Sequence, residues 1–347
     1  MADPTEFTTG SFKIIDGHVH FVHPERMEEM LSILDAVPCA CFNLVCIPET
    51  DGRTHNPAAV YFKQHYPLRT YISGALDYPP VLADLHHAPE LLAEQVLRLK
   101  TQGFDGLKLI EGKPQVRKLL PFALDGPLYD RMWSALEREQ FPVIFHVADP
   151  DEFWDPQSCP DWAIQSGWDY TDGRYPSKED LYSEVDAILS KYPDLKIIFA
   201  HFYFLSGDLE RAGRFLDAHP RVCFDLAPHI GLYHDFSNQP EAARAFFLQY
   251  QDRIIYGTDV DTRPLERGPD GAGFMRSIPV LIRSFLEKAG EFNMHSGSKY
   301  LGLGLPDPVL EKIYHANFER VYGRTPAVLS RGLSTEENTG RIQDDCL

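Results

Sequence analysis

The chain has 347 residues, of which 44% are hydrophobic, and its formal net charge at pH 7 is −18. So acidic a chain argues against nucleic acid as a partner, because phosphate backbones are bound by basic surfaces. No stretch approaches the roughly 20 consecutive apolar residues of a membrane span, and the N-terminus lacks an apolar secretion segment. We therefore expect a cytoplasmic protein with a large core and no membrane partner.

Strand-like and helix-like patterns alternate along the chain, which indicates a mostly parallel sheet covered by helices. Helical periodicity marks residues 90–100, 128–140 and 178–191. The last stretch begins at Ser177 with Asp180 three residues on, a spacing typical of a capping box. The strand-like runs lie near residues 13–18, 39–47, 70–76, 105–110, 142–147, 195–200, 221–226 and 253–257. Eight such runs predict an α/β fold, a TIM (β/α)8 barrel.

Two connections exceed the usual length and are predicted to be long loops after strands 5 and 8. The second runs from residue 260 to about residue 274 and carries Arg263. The first runs from residue 148 to about residue 177 and holds three of the four tryptophans, Trp154, Trp162 and Trp168.

We expect one barrel domain over residues 1–328, because no internal repeat or linker stands out. Residues 329–347 are polar and aperiodic, which predicts a flexible C-terminal tail. A homodimer is possible, since such dimers are the commonest soluble oligomers.

Several strand-like runs end in a side chain that can bind a metal or carry a proton. His18 and His20 end the first run, and residues two apart on a strand point to the same side. His146, His201 and Asp259 end the fifth, sixth and eighth runs. Because the carboxyl ends of barrel strands meet at one face, we expect these side chains to converge. Imidazoles with a carboxylate suit zinc and other borderline divalent ions.

Lys108 ends the fourth run, and three roles are open for it. It could be carbamylated and bridge two metal ions. It could stay cationic and hold a substrate carboxylate or phosphate. It could form a salt bridge with Glu111 that has no catalytic role. The number of metal ions depends on which role is correct.

These residues together resemble the amidohydrolase superfamily, in particular its amidohydrolase-2 branch of TIM-barrel metal-dependent hydrolases and decarboxylases. The hallmarks of that branch are His-x-His on the first strand, histidines on the fifth and sixth, and aspartate on the eighth. The segment 103–109 is similar to the branch's fourth strand, and the resemblance covers about residues 12–323. One departure is that many members follow the fourth-strand lysine with a His-Pro pair. Here Leu109-Ile110-Glu111-Gly112 stands instead, so substrate contacts of that loop cannot be transferred.

The resemblance implies a divalent metal ion held by His18, His20 and Asp259, with His146 as a further ligand. Zn2+ is the expected ion, and Mn2+, Fe2+ and Co2+ are alternatives. The resemblance also implies that Asp259 carries a proton between the attacking water and the leaving group. His201 would bind a second metal ion or polarise the carbonyl of the substrate.

We therefore expect a hydrolase that cleaves a small-molecule ester, lactone or amide with a metal-activated water. Lys108 and Arg263 would orient an anionic group of the substrate. The three loop tryptophans would line or cover the pocket, or else form a small satellite core beneath the loop. The alternative reaction is non-oxidative decarboxylation of an aromatic or enoic acid on the same metal site. A binding barrel without activity is disfavoured by the full set of His and Asp ligands.

Overall fold

Parallel strands form the centre of the computed structural model, which describes residues 12–331 and 333 except residues 36, 38, 50 and 295. Strands β1 to β8 are neighbours in chain order, and β9 pairs in parallel with β1. The strands are β1 (Ile14–His20), β2 (Cys39–Val45), β3 (Thr70–Gly74), β4 (Gly106–Gly112), β5 (Val143–Val147), β6 (Ile197–Phe199), β7 (Cys223–Asp225), β8 (Ile254–Ile255) and β9 (Val260–Asp261).

The sheet closes on itself because the eighth strand position is divided between β8 and β9. β8 pairs with β7, and β9 pairs with the opposite edge, β1. Between them the Gly17 N–H donates to the Tyr256 carbonyl (2.9 Å), and the Asp259 N–H donates to the His18 carbonyl (2.8 Å). The fold is therefore the predicted TIM barrel, with the predicted eighth strand present in two pieces.

Helices cover the outside of the barrel, and the three predicted from periodicity are confirmed as α4, α6 and α8. Gly103, with φ of 92°, ends α4 in the left-handed conformation that glycine favours. Ser177 and Asp180 form the predicted capping box at the start of α8. The helices are α1 (Met27–Leu34), α2 (Asn56–His65), α3 (Tyr78–Ala83), α4 (Ala88–Gln102), α5 (Pro114–Leu119), α6 (Pro127–Glu139), α7 (Asp161–Gln165), α8 (Lys178–Lys191), α9 (Leu209–Ala218), α10 (Leu232–Asn238), α11 (Pro240–Gln249), α12 (Pro269–Glu287), α13 (Asp307–Glu311) and α14 (Asn317–Tyr322).

The connections after β5 and β8 contain short elements of their own. The first holds a 3-10 turn, Asp151–Trp154, and α7. In the second, α12 already begins at Pro269, so this connection ends earlier than predicted. Proline suits the first turn of a helix because its φ is fixed and its missing N–H would have no partner there. A hairpin of β10 (Ala289–Asn293) and β11 (Lys299–Leu303) follows α12 and was not predicted.

The chain beyond α14 runs under the amino-terminal end of the barrel. The Ala327 N–H donates to Asp105 Oδ1 (2.6 Å), and the Ser330 N–H donates to the Gln102 carbonyl (3.1 Å). Most of the predicted tail, residues 329–347, lies outside the described residues, so its boundary stays a prediction. Among the described helices, none has the length and apolar character needed to cross a membrane.

Candidate active site

Three of the predicted ligands converge at the carboxyl end of the barrel. One ligand atom each from His18, His20 and Asp259 lies within 4.8 Å of the others. His18 Nε2 is 3.4 Å and His20 Nε2 is 3.2 Å from the same oxygen, Asp259 Oδ1. The histidines are buried, whereas the Asp259 side chain is 30% exposed and lines a cavity. Two imidazole nitrogens and one carboxylate oxygen in this arrangement suit a divalent metal ion.

Asp225, at the end of β7, supports two of the site histidines, and the sequence analysis missed it. Its Oδ2 accepts a hydrogen bond from His18 Nδ1 (2.7 Å). Its Oδ1 accepts from the backbone N–H groups of His201 (2.7 Å) and Ala227 (3.1 Å). Because a carboxylate makes Nδ1 of His18 the donor, Nε2 carries the lone pair and is the nitrogen that could bind a metal. Asp225 ends an apolar strand as the predicted site residues do, and that signal was available in the sequence.

Asp16, buried within β1, holds the chain in the turn that follows β8. Its carboxylate accepts from the Thr258 hydroxyl (2.6 Å), the Thr258 N–H (3.0 Å) and the His18 N–H (3.2 Å). Burial raises the pKa of Asp16 to about 7. The next residue after Thr258, Asp259, has φ of 56° and so leaves the extended conformation of the strand. This turn is what divides the eighth strand and brings the Asp259 carboxylate to the histidines.

His201 and His146 lie on the same face of the barrel but are oriented differently. The ring of His201 is 5.4 Å from that of His18, and its Nδ1 is 3.2 Å from the Ala227 carbonyl. Nε2 of His201 is therefore the nitrogen available to a ligand. The ring of His146 is 4.8 Å from that of His201, but its Nε2 is 3.0 Å from the Ala148 carbonyl and 3.2 Å from Asp149 Oδ1. The structure thus directs His146 Nε2 to Ala148 and Asp149.

Lys108 is buried beside the histidines. Its Nζ is 3.2 Å from His18 Nε2, and burial lowers the pKa of the amine to about 8. Glu111, the partner considered for a salt bridge, instead accepts hydrogen bonds from the Tyr78 hydroxyl (2.5 Å) and the Ile110 N–H (2.8 Å). Lys108 therefore belongs to the histidine cluster by contact.

The electrostatics of the cluster favour the protonation states that bind a metal. Burial, together with Lys108, lowers the pKa of His18 well below its usual range. Burial also lowers the pKa of His201, and His146 adds to the effect. Burial alone would raise the pKa of Asp259, but the neighbouring histidines hold it well below its usual range. Metal ligation requires neutral imidazoles and a charged carboxylate, and the pKa directions of His18, His201 and Asp259 favour these forms.

A cavity of about 660 Å³ opens above these groups. Such a volume is typical of a site for a small molecule. Its polar floor includes His20, Lys108, His146, His201 and Asp259. Its apolar wall comes mainly from the segments that follow β2, β3 and β4, and consists of Ile47, Pro48, Tyr78, Pro79, Leu82, Ile110, Val116, Leu119, Leu120 and Trp168.

The three loop tryptophans differ in their position relative to the cavity. Trp168 lines the cavity, and Lys113 Nζ lies 4.3 Å from the centre of its ring. Trp154 packs on Tyr170, and Trp162 packs on Trp168 with its other side exposed. Neither Trp154 nor Trp162 is among the described residues that line the cavity. Beneath the loop, Phe153, Ala163 and Tyr170 form a satellite core, and both Trp154 and Trp168 pack against it.

Two other cations line the cavity, and each is held by a carboxylate. Arg263 Nε donates to Asp261 Oδ2 (2.6 Å). Lys113 Nζ donates to Asp149 Oδ1 (2.7 Å). Arg263 is therefore at the cavity, as predicted, but its charge is already matched within the protein.

The sequence model described as amidohydrolase matches residues 15–324 of the chain. The chain belongs to the amidohydrolase-2 family. No curated protein shows significant sequence similarity to it. It is, however, similar in fold to several solved structures. A putative amidohydrolase from Staphylococcus aureus is 17% identical with a TM-score of 0.56, and the match covers 90% of this chain and 100% of that one.

Two decarboxylases also share the fold of this chain. A 2,6-dihydroxybenzoate decarboxylase complexed with 2,6-dihydroxybenzoate is 14% identical, with a TM-score of 0.53 and coverage of 90% of this chain and 100% of that one. A dihydroxybenzoic acid decarboxylase from Polaromonas sp. JS666, with bound manganese and the inhibitor 2-nitroresorcinol, is 14% identical, with a TM-score of 0.50 and coverage of 90% and 97%. At these identities the likeness shows the TIM-barrel fold alone. Family membership makes the chain an enzyme of the amidohydrolase-2 family.

Proposed function

We propose that this protein is a metal-dependent hydrolase that cleaves a small-molecule ester, lactone or amide. The observation that carries the proposal is the convergence of His18 Nε2, His20 Nε2 and Asp259 Oδ1. These donors fit Zn2+, and Mn2+, Fe2+ and Co2+ are alternatives. When bound, a divalent ion would lower the pKa of a water molecule and polarise the carbonyl of the substrate.

The residues of the site then have distinct roles. Asp259, ionised and partly exposed in the cavity, accepts the proton of the attacking water and returns it to the leaving group. The Nδ1–H of His201 faces the Ala227 carbonyl, so its Nε2 is unprotonated and would bind a second metal ion that polarises the carbonyl of the substrate. The backbone of His201 is fixed by Asp225. Asp225 also keeps the metal-binding nitrogen of His18 unprotonated.

Lys108 fits two roles in this mechanism. An amine with a pKa of about 8 is partly neutral near pH 7 to 8, and a neutral amine adds carbon dioxide to form a carbamate. A carbamate on Lys108 would place an additional anionic ligand beside His18 and would fit a second ion. A cationic Lys108 would instead hold an anionic substrate group. Incubation with 13C-bicarbonate distinguishes the roles, because only a carbamate gives a carbonyl resonance that Lys108→Arg removes.

The second candidate is non-oxidative decarboxylation of an aromatic or enoic acid. It is favoured by the names of two of the similar structures, both of which are described as decarboxylases of dihydroxybenzoates. In that reaction Asp259 or His201 would protonate the carbon that loses carbon dioxide. The same cavity and the same metal ligands would serve.

One assay separates the two reactions. Metal-reconstituted protein is offered esters and lactones, with acid release measured by pH-stat, and hydroxybenzoates, with carbon dioxide release measured. We expect acid release, and we expect Asp259→Asn to lower it at least about 100-fold because a positioned proton carrier contributes about that much. Asp51→Asn, at an exposed carboxylate that also lines the cavity, is the control and should change turnover less than about twofold. Release of carbon dioxide without acid release from esters would overturn hydrolysis in favour of the alternative.

A further inference from the structure

We propose that the substrate carries a bulky, uncharged apolar group and that this group binds against a wall formed by α3 and α5. The inference rests on the proposed hydrolase function and names its substrate class. Three observations support it: the apolar faces of two short helices, two exposed leucines, and the ion pairs of the cations that line the cavity.

The two helices present apolar faces to the cavity. In and just after α5, Val116, Leu119 and Leu120 are spaced three and four residues apart, which places them on one side of a helix. All three line the cavity. In α3, Tyr78 and Leu82 are four residues apart and line it as well. Because α5 follows β4, the strand that carries Lys108, this apolar wall begins next to the catalytic floor.

Two of the wall residues expose large apolar side chains at the cavity. Leu82 is 46% exposed and Leu119 is 61% exposed. A single exposed leucine is common on protein surfaces and needs no explanation. Here both exposed leucines line the same cavity, above residues that can bind a metal. An apolar substrate group would cover them, and removal of such surface from water favours binding.

Two of the cations that line the cavity are already paired with carboxylates, which leaves little positive charge to bind a second anionic group of the substrate. Arg263 is paired with Asp261, and Lys113 is paired with Asp149. Glu49 and Asp51 also line the cavity and attract no anion; Asp51 is paired with Arg53, and Glu49 contacts His55. Among the described lining residues the carboxylates outnumber the lysines and arginines. A substrate with a second carboxylate or a phosphate away from the reacting carbonyl would therefore have to break an ion pair, whereas an apolar group would not.

The test uses p-nitrophenyl esters that share a leaving group and differ in the acyl part. The metal-reconstituted protein is assayed with the acetate, the hexanoate and the succinate monoester. Each buried methylene favours binding by up to about fourfold. We therefore expect kcat/KM for the hexanoate ester to exceed that for the acetate ester by at least about tenfold. The succinate ester should be at least about tenfold poorer than the hexanoate ester. Equal rates for acetate and hexanoate, or a preference for succinate, would overturn the proposal.

Substitutions in the wall test whether these residues cause the preference for the hexanoate ester. Leu82→Glu and Leu119→Glu should each reduce the hexanoate-to-acetate ratio of kcat/KM to below about three. Leu85→Glu is the matched control, because Leu85 is 53% exposed, lies just after α3 and is not among the described lining residues. A ratio that falls equally in the control would overturn the assignment to this wall.

Binding without turnover separates this inference from the hydrolase function. Hexanoate, acetate and succinate are titrated into the metal-reconstituted protein by calorimetry. Hexanoate should bind at least about tenfold more tightly than acetate, and Leu119→Glu should remove the difference. That result with no ester hydrolysis would support the apolar wall and contradict the hydrolase. Hydrolysis of esters together with equal binding of hexanoate and acetate would support the hydrolase and overturn the wall.

Discussion

Replacement of Asp225 by asparagine tests whether one buried carboxylate orients two site histidines. Asparagine keeps the size of the side chain but exchanges one acceptor oxygen for an NH2 donor. If the asparagine oxygen still accepts from the backbone N–H of His201, the asparagine nitrogen faces Nδ1 of His18. Both of these nitrogens are then hydrogen-bond donors. His18 can avoid this clash only by moving its proton to Nε2, the nitrogen proposed to bind the metal.

The size of the effect follows from the contact. The bond from His18 to Asp225 is 2.7 Å long, and both side chains are buried. A hydrogen bond to a charged group contributes about 1.5–3 kcal/mol. Loss of the outer partner of a metal-ligating histidine typically weakens metal binding about 10- to 100-fold. Since a tenfold change equals about 1.4 kcal/mol, the two ranges agree.

We expect Asp225→Asn to weaken zinc binding about 10- to 100-fold in a competition titration with a chromophoric chelator. Asp105→Asn is the control. Asp105 is also buried and accepts backbone N–H groups from Ile72 (2.8 Å) and Ala327 (2.6 Å), but it lies at the opposite end of the barrel. Both variants should lower the free energy of unfolding, and only Asp225→Asn should lose zinc affinity. A folded Asp225→Asn protein that binds zinc within about twofold of the parent would refute the reasoning.

Three further predictions follow from the site. Zinc at about 1,000 times its dissociation constant should raise the free energy of unfolding by about 4 kcal/mol in urea, and chelation or His20→Ala should remove the gain. Trp168→Ala should raise KM severalfold in steady-state kinetics, whereas Trp162→Ala should leave it unchanged; the reverse order would contradict the placement of the two rings. Burial alone would raise the pKa of Asp149, but Lys113 holds it below the usual range, so this carboxylate stabilises the fold above about pH 4 and the stabilisation is lost as the pH falls. Asp149→Asn should therefore lower the free energy of unfolding at pH 7 by more than at about pH 3.5, and an equal loss at both would count against the ion pair.

The convergence of the strand-end side chains was predictable because two simple regularities place them. Alternation on a strand puts His18 and His20 on one side, and the barrel brings distant strand ends together. The structure brings Asp259 to both histidines, as expected. The structure also places Lys108 in the histidine cluster. The apolar run before Lys108 indicated this position but did not establish it.

Other features depend on contacts that a local pattern does not contain. The role of Asp225 depends on which strand lies beside β7 and in which register, and an aspartate after a short apolar run is equally typical of a turn. Composition does not distinguish a residue of a cavity wall from a residue of a satellite core. The same alternatives were therefore predicted for Trp168 and Trp162. The hairpin of β10 and β11 buries only Phe292 and Leu303, so its alternation of buried and exposed residues is weak.

The backbone of the site connects these observations. His201 and Asp259 have φ of 58° and 56°, the left-handed region that costs an L-residue about 1–2 kcal/mol. In each case the N–H of the strained residue is satisfied by the network around His18. The Asp259 N–H donates to the His18 carbonyl (2.8 Å), and the His201 N–H donates to Asp225, which also holds the His18 ring. The bond to the Asp225 carboxylate contributes about 1.5–3 kcal/mol and the backbone bond about 0.5–1.5 kcal/mol, which is comparable to the strain. The bonds that fix the histidine are thus the bonds that hold the two turns, so the fold sets the positions of the three side chains together, before any ligand arrives.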